Sequence, residues 1–370
     1  MKQVGSLFGI PFFLHWSVII FPAFALWHSF AIHGSYDFCW ECFNFSLLLF
    51  AALLLLVLIH ELGHAMAGRY LGIPTDRIVV NGLGGAAYLQ NLGEKPRETM
   101  LIAIAGPMTN IVIGLLLYFY LEWANGFLFF ANFHGGLFSL LFWVRLLYLL
   151  YYYNLVLILF TLLPGLPLDG GWVLEASLRY FLPKAWATIV AARFGQLLGG
   201  GLFVLGAWLV DWMFPLFAVF IFWYATRQLV RAKLHRRLNK HSIAGLMHRD
   251  FSLVADADPV QEVVEQAGLA PQRYFMIPNQ EGQLGTMLSG AQLTQVYREN
   301  GAEHNFMEAI ANMQSYAIQE DTPLSVAWDY IDLKEVPAFA VLRGEEVAGV
   351  LEAETVRQLA PKKPGPSLFH

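Results

Sequence analysis

Long uninterrupted runs of apolar residues constrain this sequence more than any other feature. A helix needs about 20 residues to cross roughly 30 Å of hydrocarbon. The stretches that are long enough lie near residues 12–31, 45–70, 99–121, 137–164, 187–209 and 212–232. Only 14% of the residues are charged, against roughly 25% in soluble globular proteins. The sequence therefore predicts a polytopic α-helical membrane protein with about six transmembrane helices.

The positive charges of the short loops all fall on one side of such a bundle. The loops near residues 32–44, 122–136 and 210–212 contain no Lys or Arg, whereas the alternate loops do. Because cytoplasmic loops carry the excess of Lys and Arg, we expect a multi-pass cell-membrane protein with both termini in the cytoplasm. The first stretch is too long and aromatic for a cleaved signal peptide, so we expect it to remain as an anchor.

A change of charge marks a boundary after the last apolar stretch. The formal net charge is +5 over residues 1–248 and −10 over residues 249–370. The predicted divisions are a membrane domain over 1–232, a basic linker over 233–242, a cytoplasmic domain over 243–360 and a flexible tail over 361–370. The whole chain carries a net charge of −5. It has no basic excess to neutralise a phosphate backbone, which argues against nucleic acid as a partner.

The acidic cytoplasmic region contains two similar halves. Each combines a helical pattern with two short apolar strands, and the first strand is YFMIP (274–278) in one half and AFAVL (338–342) in the other. An internal repeat of this length predicts two packed α/β units.

Three polar residues interrupt the second apolar stretch in the motif HELGH, residues 60–64. His60 and His64 share one helix face, so both imidazoles can reach one metal ion, and Glu61 lies beside them to handle protons. An ionisable residue in the membrane costs on the order of 2.5 kcal/mol or more unless it is paired or faces a polar cavity. These residues therefore need an acidic partner. The alternative is a histidine that only packs and forms hydrogen bonds.

The candidate partner is Asp169, in the segment LLPGLPLDGGWVLE (162–175). Pro164 and Pro167 interrupt the helix, and the glycines after Asp169 permit a tight backbone path. Two neutral imidazoles and this carboxylate would hold one Zn²⁺ per chain and leave a position for water, whose pKa zinc lowers to about 7 in catalytic sites. The chain has only two cysteines, which excludes a multi-cysteine metal site. Asp169 could instead cap the following helix.

These residues resemble the site-2 protease family of intramembrane zinc metalloproteases. The motifs that carry the resemblance are HELGH (60–64), NGLGGAAYL (81–89), AGPMTN (105–110) and LDGG (168–171). The opening IPFFLHWS (10–17) resembles the subgroup with a C-terminal pair of cystathionine-β-synthase (CBS) domains, and the repeat is similar to such a pair. The resemblance implies that the substrate is a membrane-tethered protein, often a regulator, cut in its transmembrane helix. It also implies a zinc site formed by His60, His64 and Asp169, with Glu61 as the general base.

Other residues are candidates for binding the substrate or its oxyanion. Thr161 stands where the family usually has Asn, and Asn154, seven residues earlier, lies on about the same helix face; either could donate to the oxyanion. Residues 77–90 predict a re-entrant β-hairpin, whose edge could pair with an unwound substrate as an added strand. Its candidate residues are Asn81, Gly84 and Gly85. A purely structural loop is the alternative.

The role of the CBS-like pair stays open at this point. Such pairs often bind adenine nucleotides, with an Asp late in the motif, but Ala291 and Thr355 stand near that place here. Nucleotide sensing, binding of a partner or substrate, and homodimerisation are the three options. The pair Cys39 and Cys42 lies in a loop assigned to the non-cytoplasmic side. We expect it to be unpaired or to form a simple structural disulfide.

A CBS-gated membrane transporter or channel is the alternative function from another class. In it, the cluster of His and acidic residues would line an ion path. A channel does not require a Glu placed between two His one helical turn apart, which favours the protease.

Overall fold

The computed structural model of the chain forms two compact units, Met1–Ala232 and Lys233–His370. The described residues are 1–31, 39–82, 84–90, 95–130, 137–209, 213–254, 260–278, 284–300, 310 and 315–360. The predicted tail over 361–370 lies outside them, as do parts of the three predicted loops without Lys or Arg.

Long apolar helices dominate the first unit. They are α1 (Ile20–Ala31), α2 (Trp40–Tyr70), α3 (Pro96–Phe130), α4 (Leu137–Thr161), α5 (Asp169–Leu178), α6 (Lys184–Leu209) and α7 (Met213–Leu238). Within the described residues, four of them are long and apolar enough to cross a membrane: α2, α3, α4 and α6. This confirms an α-helical membrane protein with several spans, and the count of six stays a prediction.

A four-stranded sheet accompanies these helices, in the order β1–β2–β3–β4. The strands are β1 (Lys2–Leu7), β2 (Ile10–Leu14), β3 (Thr75–Asn81) and β4 (Gly84–Leu89). The β2–β3 pair is parallel and the other two pairs are antiparallel. The apolar stretch near residues 12–31 is therefore not one helix, because its first residues complete β2. Gly9, whose φ is +82°, lies in the turn between β1 and β2, and such a φ favours glycine.

Strands β3 and β4 form an antiparallel hairpin in the segment 77–90, and its re-entrant position in a membrane stays a prediction. Its turn is held by the IPFFLHWS segment, since the backbone N–H of His15 donates to Val80 O at 2.9 Å and that of Gly82 donates to Ser17 Oγ at 2.9 Å. The N-terminal motif thus fixes the position of the hairpin.

A tight turn joins α4 to α5. A β-carbon at Gly170 would collide with the carbonyl group of Leu162, and one at Gly171 would collide with Gly165. The backbone N–H of Leu166 donates to Ala191 O in α6 at 3.2 Å, which holds the turn against that helix. Asp169 is the first residue of α5.

The second unit repeats one arrangement twice. In each half, two parallel strands lie on either side of a helix in sequence, and a third strand joins the sheet antiparallel, followed by a second helix. The first half contains β5 (Phe251–Leu253), α8 (Val260–Leu269), β6 (Tyr274–Pro278), β7 (Leu284–Ser289) and α9 (Gly290–Asn300). The second contains β8 (Ala317–Gln319), α10 (Leu324–Lys334), β9 (Ala338–Arg343), β10 (Glu346–Glu352) and α11 (Ala353–Leu359). Residues 233–238, the start of the predicted linker, complete α7.

Candidate zinc centre

The polar residues of the HELGH motif are buried about two thirds of the way along α2. His60, Glu61 and His64 expose only 4%, 8% and 7% of their surface, on a helix that is otherwise almost entirely apolar. Because residues three and four apart share a helix face, the two imidazoles lie close together, with their Nε2 atoms 3.2 Å apart.

Asp169 completes a triangle of ligand atoms. Its Oδ2 lies 3.1 Å from His60 Nε2 and its Oδ1 lies 3.4 Å from His64 Nε2. The side chain thus points to the two histidines. Leu168, not Asp169, is the residue that precedes α5, and it makes no side-chain capping bond. The structure therefore favours the ligand hypothesis for Asp169 over the capping alternative.

A buried glutamate anchors the helix that carries Asp169. Thr188 Oγ1 in α6 donates to Glu175 Oε1 at 3.1 Å, and Arg179 lies on the other side of this carboxyl group, with 3.9 Å between its Nη1 and Glu175 Oε2. Burial raises the pKa of Glu175. These contacts fix α5 against α6 and so fix the direction of Asp169.

Helix α3 forms the other wall of the site. Ile102 O accepts a hydrogen bond from His64 Nδ1 at 2.7 Å, and Asn110 Nδ2 lies 3.2 Å from His60 Nδ1. A β-carbon at Gly106 would collide with His64 Nε2 and would lie 2.8 Å from His60 Nε2. The glycine therefore leaves room beside both ligand nitrogens.

The donor set fits a zinc ion. Tetrahedral zinc with bonds of about 2.0–2.1 Å holds its ligand atoms about 3.3 Å apart, and the three separations in the triangle are 3.1, 3.2 and 3.4 Å. Two imidazoles and one carboxylate are also the donor types of many catalytic zinc sites. The space beside Gly106 is the cradle in which an ion in contact with these atoms would lie.

Glu61 faces the β-hairpin on the neighbouring side. The Ala87 backbone N–H donates to its carboxylate. A β-carbon at Gly85 would lie 2.5 Å from Glu61 Cγ and 2.8 Å from its Oε1. Strand β4 thus passes directly over the candidate general base.

Alanine at Gly85 is expected to displace Glu61 without touching the three metal ligands. We expect zinc content to stay unchanged and proteolysis to fall by about 10²-fold, the cost of misplacing a catalytic group by roughly 1 Å. Gly200→Ala is the matched control, because a β-carbon there meets no atom within 4 Å. Equal proteolysis by the two variants would contradict this role of Gly85.

The remaining candidate residues make contacts of different kinds. Thr161 is the last residue of α4, and its Oγ1 donates to Ile158 O at 3.3 Å. Asn154 is fully buried and its Nδ2 donates to the backbone carbonyl of Asn110 at 2.9 Å. Asn81 and Gly84 pair with each other at the turn of the β-hairpin. The structure thus brings Gly85 against Glu61 and links Asn154 to the site through Asn110.

Sequence reasoning missed Asn110 as a residue of the centre. The residue belongs to the motif AGPMTN, which carried the resemblance, but no role followed from its spacing. A buried Asn in an apolar stretch was the signal that could have found it, because a buried polar side chain needs a partner.

Comparison with known proteins bears on the function of this centre. Residues 48–198 match the family model for peptidase family M50, and this range contains all four residues of the candidate centre. A zinc metalloprotease of Methanocaldococcus jannaschii is 24% identical over 323 residues, which cover 87% of this chain and 85% of that protein. The chain resembles the M50 zinc metalloproteases.

Two solved structures resemble parts of this chain. The site-2 protease from Methanocaldococcus jannaschii covers 62% of this chain and 94% of its own at 27% identity, with a TM-score of 0.46. A CBS-domain pair with bound AMP from Klebsiella pneumoniae covers 32% of this chain and 95% of its own at 15% identity, with a TM-score of 0.27.

The match to the M50 model and the similarity to a zinc metalloprotease over most of the chain identify it as a zinc metalloprotease and confirm the family resemblance. Its long apolar helices make it a membrane protein. The alternative of a gated transporter or channel finds no support in these matches.

Proposed function

We propose that this zinc metalloprotease hydrolyses a peptide bond within or near the transmembrane segment of a membrane-tethered protein. The observation that carries the proposal is the triangle of His60, His64 and Asp169 beside Glu61. Its two histidines lie about two thirds of the way along a 31-residue helix that is apolar enough to cross a membrane. A catalytic centre at that depth is placed for substrates that are themselves in the bilayer.

In this proposal the three ligands hold one zinc ion and Glu61 moves protons. Bound zinc would polarise the scissile carbonyl and lower the pKa of water to about 7. Glu61 accepts the proton of the attacking water, whose oxygen forms the new bond to the carbonyl carbon. It then returns the proton to the amine nitrogen as the C–N bond breaks.

The free edge of β4 is proposed as the place where the substrate lies. A transmembrane helix protects its backbone by internal hydrogen bonds, so it must unwind locally before a peptide bond can be attacked. Strand β4 is the last strand of its sheet and lies over Glu61. An extended substrate segment added to this edge would satisfy its backbone groups. Asn81, Gly84 and Gly85 would then contact the substrate.

Thr161 is the candidate for stabilising the oxyanion. Its hydroxyl has one proton, which would turn from Ile158 O to the oxyanion, and the amide of Asn could reach further from the same position. We expect Thr161→Val to lower kcat by roughly 10–10³-fold, since a single oxyanion donor contributes on that order or more. Thr161→Asn should retain or raise kcat. Unchanged kcat in Thr161→Val would remove this residue from the reaction and leave Asn154 to be tested in the same way.

For the membrane topology we propose six spans with both termini in the cytoplasm. The disulfide between Cys39 and Cys42 supports this orientation, because it lies at the start of α2, on the side without Lys or Arg. Disulfides persist in oxidising compartments outside the cytoplasm. Protease protection of the second unit in sealed cells checks the assignment, since digestion of that unit from outside would contradict it.

We propose that the second unit is a CBS-like pair that regulates the protease or binds a partner. The repeated β–α–β–β–α order supports this, and a cavity of about 460 Å³ lies between the halves, lined in part by Tyr274, Ser289, Tyr316 and Pro337. Homodimerisation through this pair remains part of the proposal. Isothermal titration of the full chain with ATP separates nucleotide sensing from partner binding, because the absence of heat at millimolar nucleotide would exclude sensing.

The deciding experiment compares cells that contain the wild-type chain with cells that contain Glu61→Gln. New protein termini are identified by mass spectrometry of the membrane fraction, and the zinc content of both purified chains is measured. We expect cleavage positions in or beside transmembrane segments that occur only with the wild type, and about one zinc per chain in both. Cleavage confined to soluble proteins would contradict the proposed substrate class.

A further inference from the structure

Each histidine of the centre directs one ring nitrogen to Asp169 and the other to α3. His64 Nδ1 lies 2.7 Å from Ile102 O. A backbone carbonyl can only accept a hydrogen bond, so the neutral His64 ring carries its proton on Nδ1. Nε2 of this ring then has a free lone pair, and a histidine in this tautomer can bind a metal through Nε2.

His60 has no carbonyl in the corresponding place. Its Nδ1 faces the side-chain amide of Asn110, with Nδ2 at 3.2 Å. Asn110 is fully buried, and its Oδ1 has no hydrogen-bond partner within the part of the chain that the structure describes. The backbone of the residue is tied to α4 by the hydrogen bond from Asn154. A buried amide held this firmly beside a ring nitrogen can decide where that ring carries its proton.

We propose that Asn110 is the positioning residue of His60 and accepts its Nδ1 proton through Oδ1 when His60 Nε2 binds zinc. The inference rests on the proposed role of His60 as a ligand. A neutral imidazole that binds through Nε2 must carry its proton on Nδ1, and that proton needs an acceptor. Turning the amide of Asn110 by 180° brings Oδ1 to Nδ1 and gives the unpartnered oxygen its hydrogen bond.

The Asn110 amide can also stabilise the other tautomer of His60, in which Nε2 carries the proton. With Nδ2 facing His60, the amide donates to Nδ1, and the ring proton lies on Nε2, directed at Asp169 Oδ2 at 3.1 Å. An amide offers a donor and an acceptor on one side chain, so Asn110 can follow the ring from one tautomer to the other. A leucine of similar size would fill the space but provide neither group, and the tautomer with a free Nε2 would lose its acceptor.

The test measures zinc affinity, which requires no substrate. Wild type, Asn110→Leu and Asn110→Asp are purified in detergent, and their zinc dissociation constants are measured by competition with a chelator. We expect Asn110→Leu to bind zinc about 10–100-fold more weakly, the usual effect of losing the partner of a ligand histidine. Asn110→Asp should stay within about tenfold of the wild type, because a carboxylate also accepts the Nδ1 proton.

Thr109→Val is the matched control from the neighbouring position. Its hydroxyl donates only within α3, to Gly106 O at 2.7 Å, and valine has nearly the same shape, so zinc affinity should not change. The proposal is overturned if Asn110→Leu binds zinc as the wild type does, or if Asn110→Asp or Thr109→Val falls as far as Asn110→Leu. If Asn110→Leu does not purify as a single species, Asn110→Asp decides alone, and a loss beyond about tenfold overturns the proposal. A folded wild type that binds no zinc would instead refute the proposed ligand set.

Discussion

Glu61→Gln is expected to keep about one zinc per chain while proteolysis falls by roughly 10²–10⁴-fold. Glutamine has nearly the same shape, and its amide oxygen can still accept the hydrogen bond from the Ala87 backbone N–H. It cannot accept a proton from water at neutral pH, so the base is lost but the ligands remain. Zinc content is measured by elemental mass spectrometry. Proteolysis is measured as the cleavage rate of a substrate found by comparing cells that contain the wild type with cells that contain Glu61→Gln.

Glu98→Gln is the matched control for this variant. Glu98 is also a glutamate of the first unit, but it lies in the first turn of α3 and its carboxylate accepts a hydrogen bond from Lys95 Nζ at 2.9 Å at the surface. We expect its proteolysis to remain close to that of the wild type. If Glu61→Gln retained full activity, another group would have to be the base; if it lost its zinc, Glu61 would belong to the ligand set.

Asp169→Ala is expected to abolish both zinc binding and proteolysis. The carboxylate is the negative donor of the triangle and lies within 3.4 Å of both histidine Nε2 atoms. Without it, two neutral imidazoles remain, and zinc affinity should fall by more than the 10–100-fold typical of an outer partner. Zinc content after dialysis and the cleavage rate are the two measurements.

Asp76→Ala controls for removing an aspartate from the same unit. Asp76 lies in β3, its side chain is hydrogen-bonded to Gln90 at the surface, and it has no contact with the centre. Zinc content should stay at that of the wild type. Zinc retained by Asp169→Ala would show that the third ligand lies elsewhere.

The sequence was sufficient to select the three candidate ligands that the structure brings together, because its signals are local. The spacing of His60 and His64 determines a shared helix face wherever the helix lies. Asp169 stands between prolines and glycines in an apolar region. The same short segment therefore indicates both a negative charge and an interruption of the helix. Both inferences depend on short segments whose geometry is decided by neighbours in the chain.

The N-terminal strands and the role of Asn110 could not be predicted in this way, because both depend on contacts between segments that are distant in the sequence. Residues 10–14 form an apolar and aromatic run too short to distinguish a strand from the start of a helix. Their pairing with β3 joins segments more than 60 residues apart. Asn110 follows His60 by 50 residues in the sequence. The two side chains come together only because α3 packs against α2. Such partners follow from the assembled helices and not from spacing.

The distance along the chain between the proposed ligands has a consequence for biosynthesis. Asp169 follows His60 by 109 residues, and α3 and α4 lie between them. During synthesis, the helix with the two histidines enters the bilayer long before the ribosome has made the third ligand. The full ligand set exists only after α5 has emerged and folded back. The nascent polypeptide therefore passes through the insertion machinery, itself a membrane protein, before it can acquire the metal that would make it a protease.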